Sequence, residues 1–328
     1  PHAKTHKCSE VAMLQLQAGI TRFKCATIAE AEMLATVGAP DVLLAYPATP
    51  TKMERLIRLQ QAFPRTRFSC LVDNLSVAES LSSLLRAQQI SMPVYLDLNV
   101  GMNRTGIVPG QDALALYSYL HHEDCWQLLG LHVYDGHIHA SSLEQRKQSY
   151  SKAIQLLENF QKILLAEGYQ VPQIVAGGSP TFPLHIENKE VQCSPGTFVY
   201  WDHGYSLNCA EQSFEPAAWI LTRVISNPAP NTYCLDAGYK SVASENNIEK
   251  RIHFPSLGNY QLISQSEEHL VISISEEEDI SLKAGDMIAA LPYHICPTVA
   301  LYEKAIVVEN EKPVGEWKQW ARDRYHRF

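Results

Sequence analysis

A lysine does covalent chemistry when it is taken out of water, because desolvation lowers the amine's proton affinity and frees a lone pair that condenses with a carbonyl. The chain opens on such a candidate, Pro1-His2-Ala3-Lys4-Thr5-His6-Lys7, with Lys4 between two histidines on a stretch read as a strand. A second candidate lies near the other end, in Leu291-Pro292-Tyr293-His294-Ile295-Cys296-Pro297-Thr298. Read as a strand, positions i and i+2 face one side, so His294 and Cys296 point together. An imidazole and a thiolate so placed suit zinc, and two protein ligands leave positions for water or substrate, as a catalytic metal requires. Two glycine-containing segments complete the set, Ala176-Gly177-Gly178-Ser179-Pro180-Thr181 and Pro195-Gly196-Thr197-Phe198-Val199-Tyr200. Glycines let backbone N–H groups approach phosphate oxygens, and Ser179 or Thr197 can add a hydroxyl donor. Each feature alone has a plain alternative: a surface lysine, a buried thiol beside a satisfied histidine, an ordinary turn.

Together, a lysine and a phosphate cradle suggest pyridoxal 5'-phosphate, with the lysine in a Schiff base and the protein tuning the ring. Arg104 can hydrogen-bond the ring's phenolic oxygen and Tyr134 can stack on the ring. Against these stand a helix-capping salt bridge for Arg104 and core packing for Tyr134.

The elements that must hold these groups follow from the apolar periodicity. Short apolar runs at 22–26, 41–46, 67–72, 93–99, 128–134, 173–176 and 190–193 are mostly separated by helical patterns, at 10–17 (with Ser9 as N-cap), 27–37, 51–63, 76–89, 112–121 and 142–167. That order implies right-handed βαβ units around a parallel sheet. Counting a strand that ends on Lys4 there are eight, which favours a TIM (β/α)8 barrel over an open sheet and puts the polar candidates at the C-terminal strand ends, where barrels do chemistry. After about residue 215 the texture changes to short strands at 219–225, 233–236, 261–264, 269–274, 286–291 and 305–308, with no helix expected until the end. The expected division is a barrel over 1–213 and an all-β domain over 214–328.

Composition excludes other classes. The 328 residues are 46% apolar and 19% charged, enough for one large and one smaller domain. A net charge of −8 without a basic run argues against a nucleic-acid partner, and the Arg322-Asp323-Arg324-Tyr325-His326-Arg327 tail is expected to be a solvated end. No run of apolar residues is long enough for a membrane span. The 8 cysteines are scattered without CxxC pairs and read as reduced thiols of a cytoplasmic protein. A lysine four residues from the first residue leads us to expect a missing N-terminal segment.

Seven motifs in order, namely His2-Ala3-Lys4-Thr5-His6-Lys7, Gly101-Met102-Asn103-Arg104-Thr105-Gly106, Gly130-Leu131-His132-Val133-Tyr134, Gly177-Gly178-Ser179-Pro180-Thr181, Pro195-Gly196-Thr197-Phe198-Val199, Asp236-Ala237-Gly238 and Pro292-Tyr293-His294-Ile295-Cys296, span nearly the whole chain. In them the sequence resembles the D-threonine aldolase and D-serine dehydratase family, metal-using relatives of alanine racemase. The resemblance implies an alanine racemase-like barrel, a C-terminal β domain and a homodimer acting on a small D-amino acid. It implies that Lys4 is the Schiff-base lysine and α-proton base, that Gly177 and Gly178 bind the cofactor phosphate, that Tyr134 lies beside the ring, and that His294 and Cys296 hold a divalent metal, with zinc favoured over manganese or magnesium. Asn99 and His132 depart from the Asp and Gln expected there. Loss of the β-hydroxyl (a dehydratase) and Cα–Cβ cleavage (an aldolase) both need a metal on that oxygen. A thiolate ligand tips the reading slightly to the dehydratase. The alternatives are an amino-acid racemase, which needs two bases and no metal, and a non-catalytic pyridoxal phosphate carrier.

Overall fold

The computed structural model describes residues 1–171, 173–324 and 327–328. Its contacts divide the chain into two compact units, Pro1–Gly196 with Trp320–Phe328, and Thr197–Gln319. The observed boundary thus lies before residue 213, and the last nine residues return to the first unit.

In the first unit, seven strands form one parallel sheet in sequential order: β1 (Arg22–Cys25), β2 (Asp41–Pro47), β3 (Arg67–Val72), β4 (Met92–Leu98), β5 (Trp126–Val133), β6 (Ile174–Ala176) and β7 (Val191–Cys193). The crossovers are α1 (Ser9–Gln17), α2 (Ile28–Thr36), α3 (Pro50–Ala62), α4 (Leu75–Ala87), α5 (Gln111–His122), α6 (Leu143–Ala166) and the short α7 (Phe182–His185). Local chemistry sets several helix starts: Thr27 accepts from the Glu30 N–H, Asn74 from that of Val77 and Ser142 from that of Gln145. Ser9 is the first helical residue rather than the cap, which is Cys8.

The eighth stave differs from expectation. His2 forms a single parallel bridge to Lys24, with the Lys24 N–H donating to Pro1 O at 2.7 Å and the His2 N–H to Pro195 O at 2.9 Å. Pro1 and His2 therefore bond to β1 on one side and to the segment after β7 on the other, closing the ring. Lys4 is not on a strand. It sits in a 3-10 turn, Ala3–Thr5, capped by His2, whose Nδ1 accepts from the Lys4 N–H at 3.2 Å. The large apolar cluster packs helices on the sheet, while Leu43, Leu71, Tyr95 and Val175 form a small separate one contributed by four strands. Strand alternation puts Asp97 on the same side as Tyr95, and Ser194 on that of Gln192, toward the C-terminal strand ends.

The tail is not simply solvated: Arg327 Nε donates at 2.8 Å to Glu32, which is buried on α2 and needs a counter-charge. Tyr325 and His326 of that tail lie outside the described residues.

The second unit opens with a 3-10 turn, Thr197–Val199, and α8 (His203–Asn208). Six antiparallel strands follow, β8 (Ile220–Ala229), β9 (Thr232–Leu235), β10 (Ile252–His253), β11 (Tyr260–Gln265), β12 (Leu270–Ile274) and β13 (Met287–Pro292), ordered β10-β13-β8-β9-β12-β11. A hairpin of β14 (Lys304–Glu309) and β15 (Lys312–Lys318) completes it. An unexpected helix, α9 (Ile295–Val299), follows β13 directly. All eight cysteines are free thiols, and among the described residues no helix is long and apolar enough to cross a membrane.

Candidate active site

The C-terminal ends of the parallel strands hold a buried polar network. On β4 and β5, Asp97 and His132 are register neighbours. Asp97 Oδ1 lies 2.6 Å from His132 Nδ1, and His132 Nε2 lies 2.9 Å from Lys24 Nζ on β1. A carboxylate can only accept, so Nδ1 carries the proton and Nε2 offers its lone pair to the lysine. Lys24 also donates to Ser194 Oγ at 3.0 Å, and Ser194 Oγ donates in turn to Gly177 O at 2.8 Å. Burial first, and the charges of Lys4 and Arg104 after it, pull the Lys24 amine down to about 7 against the opposing pull of Asp97 and Asp135. Burial, together with Lys24, also lowers the proton affinity of His132 despite its carboxylate.

Lys4 itself is part-buried. Its turn is pinned from below by Gly196: a Cβ there would lie 2.9 Å from His2 O and 3.0 Å from Thr5 Oγ1, so only glycine admits this approach. Arg104, in the loop after β4, places its guanidinium 4.8 Å from the centre of the Tyr134 ring, and Lys24 Nζ lies 5.7 Å from it. Asn99 replaces the expected carboxylate with a turn: its Oδ1 accepts from the Gly101 and Asn103 N–H groups at 3.0 and 3.1 Å, shaping the loop that carries Arg104.

The glycine segment after β6 is braced from beneath. Asp135 accepts from Thr181 Oγ1 at 2.9 Å and pairs with His185 Nε2 at 2.7 Å, all three being buried. Thr181 Oγ1 accepts from the Gly178 N–H at 3.2 Å. Gly177 has φ +78°, a conformation costly to other residues. A Cβ on Gly178 would meet Tyr134 at 3.5 Å and Pro180 at 3.8 Å, ordinary contact distances, which places that backbone beside the ring. Ser179 is buried in the same turn. A small backbone turn beside an aromatic ring that Arg104 and Lys24 approach fits the phosphate and ring of a phosphorylated aromatic aldehyde.

In the second unit the His294–Cys296 pair forms by a different route from the one expected. The strand ends at Pro292; His294 is the extended N-cap of α9 and Cys296 lies in its first turn. Their side chains still hydrogen-bond, through a strand-to-helix corner rather than strand alternation. Buried Asp202 fixes that corner, accepting from the Tyr205 N–H of α8 at 2.8 Å and the Ile295 N–H of α9 at 3.0 Å. Thr298 Oγ1 donates to His294 O at 2.8 Å and accepts from the Ala243 N–H at 3.1 Å, which brings Glu245 within 2.6 Å of His294 Nδ1. Partial burial opposes charge on His294, but Cys296 and Glu245 outweigh it and raise the imidazole to about 9. Thr197, expected at the phosphate, places its hydroxyl 3.7 Å from Cys296 Sγ. Among the described residues no three His, Cys, Asp or Glu side chains are grouped as a complete metal cage. The donor set of imidazole and thiol nevertheless fits a borderline-soft divalent ion with open positions.

Sequence reading missed Lys24, Asp97, Ser194 and Asp135 in the barrel, and Asp202 and Glu245 beside His294. A lysine in the apolar run Arg22-Phe23-Lys24-Cys25 was the one available signal.

With this geometry in hand, comparison with known proteins is specific. The alanine racemase N-terminal domain model matches residues 2–203, and a serine dehydratase domain model matches residues 217–308. The chain is 26% identical to a D-threonine aldolase of an Arthrobacter species over 327 residues, covering 98% of this chain and 84% of that one. It is 23% identical to a D-threo-3-hydroxyaspartate dehydratase of Delftia sp. (strain HT23) over 350 residues, covering 97% and 89%. The crystal structure of a D-threonine aldolase from Filomicrobium marinum superposes with a TM-score of 0.88 at 24% identity, covering 98% and 87%. The chain belongs to the alanine racemase N-terminal domain family, with a dehydratase-type second domain.

Proposed function

We infer that this member of the family is a lyase of D-β-hydroxy amino acids, working with pyridoxal 5'-phosphate on Lys4 and a divalent metal, zinc by its donors, at His294 and Cys296. The observation that supports the reading is that one chain carries a buried lysine network at the strand ends of a barrel, with Lys4 on the turn bridged to it, and an imidazole–thiol corner whose histidine is partly exposed. The names of the relatives, aldolases and dehydratases of such amino acids, support it.

When bound, the cofactor supplies an electron sink for the α-carbon and the metal a Lewis acid for the β-oxygen. The residues do the rest. Lys4 would hold the cofactor, and its amine is the base placed to take the α-proton. The Gly177–Gly178 backbone with Ser179 receives the phosphate, while Tyr134 and Arg104 border the ring. Asp135 and His185 hold the phosphate turn, and Asp202 and Glu245 orient His294, as groups behind a metal ligand do. The expected assembly is a homodimer.

Product analysis tests the reading. Zinc-loaded protein given D-serine should release pyruvate and ammonia, or given D-threonine, glycine and acetaldehyde, and EDTA should abolish either. Racemisation that survives EDTA would overturn the assignment of His294 and Cys296.

A further inference from the structure

The buried stripe of α6 runs through Ala153, Leu157, Phe160 and Leu164 at helical spacing, and it begins with a charge: Arg146, which is 0% exposed. An apolar side chain would start the stripe without desolvating a guanidinium, so the arginine needs a use. Its Nη1 donates to Pro180 O, in the turn after β6, at 2.8 Å. Four residues further along the same face of α6, the Tyr150 ring meets that of His185 edge-on, with centres 4.8 Å apart. His185 pairs with Asp135, which accepts from Thr181. One face of α6 thus reaches both the Gly177–Thr181 turn and the groups that brace it.

We propose that Arg146 is a positioning residue for this turn, and that through it the site prefers a phosphorylated aldehyde to the same aldehyde without phosphate. The inference rests on the reading of the turn as the phosphate site. It runs through one peptide group. No peptide bond among the described residues is cis, so the Pro180–Thr181 unit points its N–H opposite to its C=O. The bond from a guanidinium to that carbonyl is charge-assisted, which fixes the plane of the peptide and polarises it, making its N–H a better donor. The N–H groups of the two glycines are already engaged, that of Gly177 by Val133 O at 3.2 Å and that of Gly178 by Thr181 Oγ1 at 3.2 Å. The Thr181 N–H has no hydrogen-bond partner among the described residues. The glycines therefore shape the turn, and Arg146 aims and strengthens an uncommitted backbone donor suited to an anionic oxygen.

The test compares two ligands that differ only in the phosphate. Uptake of pyridoxal 5'-phosphate and of pyridoxal by the full-length chain is followed by absorbance in wild type, Arg146→Met, Arg146→Gln and Arg146→Lys. Arg146→Met should weaken uptake of the phosphorylated aldehyde by about 10- to 100-fold and that of pyridoxal by no more than about two-fold. Arg146→Lys, charged but without the planar fork, should show a smaller loss of the same kind. Arg146→Gln and Arg146→Lys keep a donor at this place and carry the test if Arg146→Met does not fold. Equal weakening for both aldehydes in a folded variant, or none for either, overturns the inference. In parallel, the melting temperature of each protein is read with inorganic phosphate against chloride at equal ionic strength, which probes the turn without an aldehyde. Phosphate should stabilise wild type more than any Arg146 variant. Wild type that responds to phosphate but takes up no pyridoxal 5'-phosphate sinks the proposed function and leaves Arg146 in its role. Wild type that responds to neither removes both claims, and normal uptake with an unchanged aldehyde preference in the variants removes the present inference alone.

Discussion

The barrel mouth and the His294 corner solve opposite problems with similar side chains. At the mouth, Lys24, Asp97 and His132 are 5%, 2% and 3% exposed, and each is fixed by short hydrogen bonds. At the corner, the His294 and Glu245 side chains are 41% and 44% exposed although they lie 2.6 Å apart. An amine becomes a nucleophile or base by losing water, so the mouth must be closed around it. A catalytic metal must keep positions for substrate, so its donors must reach an open space. Burial marks the Lys24–His132–Asp97 network at the mouth and exposure the His294 corner; in the proposed function the first lies beside the covalent chemistry and the second serves the electrophilic half.

Mutations can break that contrast. The largest effect is expected from Lys4→Ala, which should lower turnover by about 10⁴-fold or more while the corner still binds metal; steady-state rates with metal analysis of the same protein would check it. His294→Ala should do the reverse, losing metal and about 10²–10³ of the rate, yet keeping the cofactor's absorbance. Loss of both groups in either variant would mean that the two regions are not separable in function.

Next comes a stability effect confined to the barrel. The folded pKa of Lys24 is lowered from 10.5 to about 7 by burial, with Lys4 second, so the unfolded chain binds more protons between those values. The cost of burying the cation is therefore fully present below about pH 7 and relieved as pH rises toward 10.5. Lys24→Met in the cofactor-free protein should be more stable than wild type by roughly 2 kcal/mol at pH 6, allowing for the hydrogen bonds lost, and its advantage should shrink by pH 10. Urea denaturation at the two pH values reads the difference; a variant less stable at both would mean that the amine is structural. The smallest effect is assigned to Gly178→Ala. Its Cβ meets only Tyr134 at 3.5 Å and Pro180 at 3.8 Å, so the melting temperature should hold. A weaker affinity for pyridoxal phosphate in titration would then report the cradle itself rather than misfolding.

The alternating apolar runs made the helices and parallel strands legible, because burial of each strand leaves a pattern within ten residues. The His294–Cys296 pair was legible as chemistry but not as geometry. Whether the chain turns into α9 at Ile295 depends on Asp202, 93 residues away, and no local periodicity carries that cap. Lys24 was hidden for the same reason: its partners lie 108 and 170 residues along the chain, and a lysine in a short strand reads as solvated until they are in place. Lys4 was found by its motif and then misplaced on a strand, since a 3-10 turn held by His2 and Gly196 needs only three residues. At Asn99 an Asp could accept the same two N–H bonds that shape the Arg104 loop; what the amide adds is a donor, Nδ2, to Asn103 Oδ1 at 2.9 Å.

The most direct test is to load the protein with pyridoxal phosphate, reduce it with borohydride and map the modified peptide. The account predicts a single phosphopyridoxyl group on Lys4. Modification of Lys24 instead would exchange the roles of the two amines, and no modification at all would remove the cofactor from the barrel.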